Sequence, residues 1–125
     1  MAETLGILLI SGTHERAHYA FVMAAGAAAI GRDVVVFATN EGCRALLADW
    51  RTLEQSDRDS HVQAAGVAGL EELRAASIEL GVRLIACDSG LRMAGLDGQT
   101  LTEGASVGGV PTFLSAVGTG TIVTL

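Results

Sequence analysis

Leu5-Gly-Ile-Leu-Leu-Ile10 is six residues without a polar side chain, halted by Ser11-Gly12-Thr13. An apolar run that does not alternate reads as a strand covered on both faces, the condition inside a parallel sheet. Thr13 is placed to cap a following helix, and Glu15 suits the positive end of its dipole. The helix runs roughly to Ile30, where Gly31 is a good terminating residue. It is apolar around much of its circumference, and the small residues Ala24–Ala29 let another backbone approach closely. Val34-Val-Val-Phe37, reached through Arg32-Asp33, is the second strand. Strand, helix and strand at this spacing imply a right-handed crossover and parallel pairing.

The same reading extends to the C-terminus. Thr39–Cys43 follows the second strand, and Arg44–Trp50 reads as a short helix. Arg51–His61 is the most polar stretch and reads as a loop, either functional or a plain solvated excursion. Val67–Leu80 is an amphipathic helix ended by Gly81. Val82-Arg-Leu-Ile-Ala86 is the third strand and leads directly into Cys87, and Asp88–Gly95 opens a short helix. Asp97–Gly104 is turn-rich, with room for a short extended piece. Ser106–Ala116 reads as a helix entered near Pro111, and Thr121–Leu125 as the last strand. The order β-α-β-α-α-β-α-α-β predicts a three-layer α/β/α sandwich, one domain over residues 1–125. Ligands of such sheets sit outside the carboxyl ends of the strands. That edge is built from Ser11–His14, Thr39–Cys43 and Cys87–Arg92.

Composition narrows the function. The chain has 125 residues, half of them hydrophobic and 18% charged, with mean hydropathy +0.43. Disorder is excluded, because such a chain buries enough apolar surface to fold. Its net charge of −6 argues against nucleic acid as a direct ligand, which needs a basic face. All eight basic residues are Arg, so lysine Schiff bases and lysine phosphate loops are excluded. Two separated cysteines make neither a disulfide framework nor a zinc ribbon. Met1-Ala-Glu-Thr lacks the basic start of an export signal, and the apolar stretch Ala17–Ile30 is too short to cross a bilayer. A cytoplasmic protein with reduced thiols, free of membrane contact, is expected.

Cys87 is the first candidate for chemistry. A thiol between a strand and a helix N-terminus meets unpaired N–H groups, which favour the thiolate and would equally hold a persulfide anion. Backbone N–H groups of Ser89 and Gly90 are the expected donors, whereas an inward-turned Asp88 would raise the thiol pKa. The plain alternative is a small buried residue at a strand end. Cys43 also follows a strand, so a nucleophile and resolving pair would need Cα atoms within about 7 Å. Its plain alternative is an independent buried thiol. Ser11-Gly12-Thr13 resembles a small anion cradle before a helix, with an ordinary cap as the alternative. His14 and His18 share a helical face, but no third ligand is readable, so no metal is expected. The plain reading has His14 facing solvent and His18 packed. His14 could also exchange protons with Cys87.

Gly81-Val-Arg-Leu-Ile-Ala-Cys87-Asp-Ser-Gly-Leu-Arg-Met-Ala-Gly95-Leu resembles the DsrE/DsrF-like family. The resemblance continues through Leu101-Thr-Glu-Gly104 and Val107-Gly-Gly109, and in the first half through Gly31–Thr39 and Glu41-Gly42. It implies a mainly parallel sheet of about five strands and assembly into homo-trimers or hexamers. Catalytic members of that family carry sulfur as a persulfide on the cysteine matching Cys87. Asp88 departs from the apolar or small neighbour expected there. The resemblance therefore implies a sulfur carrier without a cofactor, whose partners are sulfur donor and acceptor proteins. The competing functions are a module binding a small anion or metabolite at Ser11, Thr13 and His14, and a structural oligomer subunit.

Overall fold

The computed structural model describes residues 3–125. The Leu5–Ile10 run forms β1 (Leu5–Leu9), and α1 (His14–Ala29) returns the chain to β2 (Val34–Ala38). Thr13 caps α1 through its hydroxyl, which accepts the Arg16 N–H, and Gly31 leaves the helix at φ +90°. After two 3-10 turns, Asn40–Leu46 and Trp50–Thr52, come α2 (Arg58–Ala64) and α3 (Leu70–Glu79). β3 (Arg83–Cys87) passes without a loop into α4 (Asp88–Met93), followed by β4 (Ala105–Gly108), α5 (Val110–Val117) and β5 (Thr121–Thr124). The strands lie in the order β4-β3-β2-β1-β5, and every pairing is parallel. This is the expected α/β/α sandwich.

Alternate residues of the strands divide the core in two. Ile7, Leu9, Val34, Val36, Leu84 and Ala86 pack with Phe21, Ala24 and Leu70 beneath α1 and α3. Val35, Phe37, Ile85 and Cys87 face the other way, against Phe113 and Val117 of α5. The Phe37 and Phe113 rings stack with centroids 4.9 Å apart. A single helix therefore covers the second face. Val110 and Leu114 on α5 and Ile122 on β5 remain 40–52% exposed.

Beyond shifts of a residue at strand ends, four stretches differ from the sequence reading. The Ser106–Ala116 helix is in fact two elements: β4 through Gly108, then α5 from Val110 with Pro111 in its first turn. Ala-Ser-Val-Gly carries no strand signal of its own, and pairing with β3 makes it extended. The Arg44–Trp50 helix is replaced by the 3-10 turn, which starts earlier at Asn40, and by a bridge from Leu47 to Leu101. The polar loop Arg51–His61 includes the Trp50–Thr52 turn and the start of α2. The amphipathic helix is shorter, Leu70–Glu79.

Candidate functional site

β3 delivers Cys87 to the carboxyl edge, and α4 begins at the next residue. Cys87 is thus the cap of α4, and its sulfur accepts the Gly90 N–H at 3.3 Å. The Ser89 hydroxyl lies 3.4 Å from the same sulfur. Burial works against ionisation of this thiol. The Ser89 and Thr39 hydroxyls and the Gly90 and Ser89 N–H groups outweigh it, and hold the pKa below its ordinary value. Asp88 does not turn inward. It is exposed, and its carboxylate accepts the Ser89 N–H at 2.8 Å. The Ser89 N–H, expected as a donor to the sulfur, bonds Asp88, and the Ser89 hydroxyl stands beside the sulfur in addition to the Gly90 N–H.

Thr39 was read as part of this edge, but not as a neighbour of the sulfur. It sits at the end of β2, where Ala38 pairs with Ala86 and so brings it beside Cys87. Gly90 permits this approach: a Cβ there would collide with Thr39 Oγ1 and lie 2.6 Å from Asn40 N. The only sequence signal was a hydroxyl residue at the carboxyl end of a central strand.

Cys43 occupies a different environment at the same edge. The 3-10 turn folds it into the α1 side of the core, where it is fully buried and donates to the Ala38 carbonyl at 3.4 Å. Burial, with the neighbouring Cys87 adding to it, pushes its thiol up to about 12. The Cys87 side chain belongs to the opposite face of the sheet. Cys43 is therefore a core thiol, close enough to Cys87 to feel both its charge and its backbone N–H.

Ser11, Gly12 and Thr13 lie apart from the sulfur. Ser11 Oγ is 3.0 Å from Thr13 Oγ1 and accepts the Thr13 N–H, and Thr13 Oγ1 takes the Arg16 N–H. The Thr13 and Arg16 N–H groups are thus taken up by the Ser11 and Thr13 hydroxyls. It opens on a cleft of about 420 Å³ shared with Glu41, Arg44 and Glu54, and Arg44 is already paired with Glu41. Two carboxylates beside spent donors do not favour an anion.

His14 faces neither solvent nor Cys87. It is fully buried, with Nε2 2.7 Å from Asp59 Oδ1 and its ring stacked on His18 at 5.5 Å. His18 Nε2 donates to the Ala68 carbonyl. Asp59 also accepts the Leu70 N–H at the start of α3 and the Gln63 amide. Burial opposes its ionisation, yet these donors keep the carboxyl below its ordinary value. The two histidines therefore fasten the α2 excursion to the body. Among the described residues, no three His, Cys, Asp or Glu side chains gather as a metal set.

A parallel α/β/α sandwich with a donor-capped thiol at the carboxyl edge defines the class of protein. The DsrE/DsrF-like family matches residues 5–125, and the chain belongs to that family. The crystal structure of the YchN protein from E. coli superposes with a TM-score of 0.75 at 12% identity, covering 99% of this chain and 100% of that one. A protein of unknown function from Methanobacterium thermoautotrophicum, MTH1491, gives a TM-score of 0.64 at 20% identity over the same shares. At these identities the likeness concerns the fold. No curated protein sequence matches. Among the described residues, no helix is long and apolar enough to cross a membrane.

Proposed function

We propose that this chain is a cytoplasmic sulfur carrier that holds sulfane sulfur as a persulfide on Cys87. The observation that supports this most is the Cys87 sulfur accepting the Gly90 N–H while 7% of the residue remains exposed. A sulfur so placed is anion-stabilised at the carboxyl edge of the sheet. In loading, the Cys87 thiolate attacks the outer sulfur of a donor persulfide. A new S–S bond forms on Cys87, the donor's S–S bond breaks, and the donor leaves as its thiolate. In unloading, an acceptor thiolate attacks the outer sulfur and Cys87 departs as thiolate. Electrons balance in each displacement, so neither an oxidant nor a cofactor is required. The partners are thiol-bearing donor and acceptor proteins. Self-association into a trimer or hexamer fits the apolar flank left open by Val110, Leu114 and Ile122.

The test is mass spectrometry after incubation with glutathione persulfide. The wild type is expected to gain one sulfur on the Cys87 peptide, and Cys87→Ser to gain none while keeping its circular dichroism. An unmodified Cys87 peptide in the wild type overturns the proposal.

A further inference from the structure

A cavity of about 380 Å³ lies between α1 and α2, on residues that the carrier chemistry does not use. Val62, Ala65 and Val67 give it an apolar lining, and the exposed ring of Tyr19 stands beside them. Arg58 and His61 add N–H donors. No Asp or Glu lines it, although the chain carries a net charge of −6. The clefts at Glu41 and Glu54 and at Glu71, Glu79 and Glu103 are acidic by contrast. The walls are fixed before any ligand arrives. His14 on Asp59 and His18 on Ala68 fasten α2 to α1, and the Ala65 and Val67 N–H groups close the following turn on the His61 and Val62 carbonyls. Such preorganisation lowers the cost of binding.

The pointer to a ligand is His18. The residue is only 7% exposed, and one face of its ring is stacked on His14. Nε2 donates to the Ala68 carbonyl at 2.9 Å, so the neutral ring carries its proton there and Nδ1 is an acceptor. Nδ1 has no partner among the described residues. Unlike Nδ1 of His14 it is not sealed, and it opens on the cavity that the ring lines. A nearly buried acceptor at a cavity calls for a donor from the occupant. Arg58 calls for the opposite. Its ionic partner among the described residues, Glu15, is an exposed carboxylate 3.5 Å away. A surface pair of that length holds little, and the guanidinium has further N–H groups with which to receive an anion.

We infer that this cavity is a binding site for a small aromatic carboxylate that also carries a hydroxyl group. The carboxylate accepts from Arg58 and His61, the hydroxyl donates to His18 Nδ1, and the ring lies on Val62, Ala65, Val67 and Tyr19. The volume admits one such ring with its substituents. None of the lining residues belongs to the Cys87 site, so the cavity does not depend on the carrier reading.

The test is a titration of the nitrogen-labelled chain with para-hydroxyphenylacetate, followed by two-dimensional NMR. Saturable shifts are expected at the His18, His61, Val62 and Val67 amides. Phenylacetate, which lacks the hydroxyl, and para-hydroxyphenylethanol, which lacks the charge, are each expected to bind several-fold more weakly. Arg58→Gln is expected to weaken the acid several-fold and to leave the alcohol unchanged, a split that a merely structural role does not give. Ala65→Phe, which fills the cavity, is expected to abolish the shifts while the spectrum keeps its dispersion. Absence of saturation at these amides, equal affinity for all three compounds, or wild-type binding of the acid by both variants overturns the site.

Discussion

The two cysteines follow neighbouring parallel strands and end at the same edge of the sheet, yet the two faces give them opposite chemistry. On the thick face, under α1 and α3, Cys43 is sealed among Ala38, Leu46 and the carbonyl it donates to, and its thiol rises to about 12. On the thin face, Cys87 shares its apolar neighbours with α5 but keeps donors at its sulfur, and its thiol falls. Both sulfurs are desolvated. The difference lies in what replaces water: at Cys43 two backbone N–H groups fall short of offsetting burial, and at Cys87 two hydroxyls and two backbone N–H groups outweigh it. Burial alone is therefore a poor guide to a reactive thiol.

The contrast can be broken most directly by alkylation at pH 7. Reaction at Cys87 is expected to exceed reaction at Cys43 by at least about tenfold, because its thiolate fraction is larger and Cys43 is fully buried. Peptide mapping that finds native Cys43 modified at a comparable rate ends the distinction. The faces should also differ in stability. Phe21→Ala, in the sealed core, is expected to cost about 4 kcal/mol in urea unfolding. Leu114→Asp on the exposed flank of α5 should stay within about 0.5 kcal/mol. It should nevertheless reduce the mass seen by light scattering, and a monomeric wild type would refute self-association through that flank. A last test concerns the clasp of α2. Asp59→Asn removes a carboxylate that serves His14, Gln63 and the Leu70 N–H, at a cost of about 2 kcal/mol near neutral pH. The folded pKa lies below the unfolded one, so this stability is full above the ordinary value of 3.8 and is lost as pH falls through the folded value. The gap between wild type and variant should close on acidification, and a gap that persists unchanged at low pH contradicts the clasp.

Most of the scaffold could be read locally, because its central strands announce themselves. Leu5–Leu9, Val34–Ala38 and Arg83–Cys87 are apolar or β-branched runs bounded by Gly, Asp and Ser/Thr signals. β4 could not be read, since its strand character is imposed by pairing at the sheet edge rather than by Ala105-Ser-Val-Gly108. α2 was hidden for a related reason: Arg58-Asp-Ser-His has no apolar stripe, and the segment is held by Asp59 and the histidines of α1. At the site, Cys87 and Gly90 were legible from the strand-to-helix junction. Thr39 was not, because it lies 48 positions away and meets the sulfur only through the Ala38–Ala86 register.

The sequence by itself determined the parallel α/β/α architecture and the position of a thiol at the carboxyl edge. Hydrophobic runs and helix signals act over a few residues, and a strand that ends in Cys at the start of a helix needs no distant partner to be recognised. Which thiol is the more acidic was decided only in three dimensions. Desolvation and hydrogen bonding depend on what packs around each sulfur, and that environment comes from four separated segments: β2, the turn after it, β3 and α4. The same holds for His14, which sequence position places at the edge and packing against Asp59, His18 and Trp50 withdraws into the core.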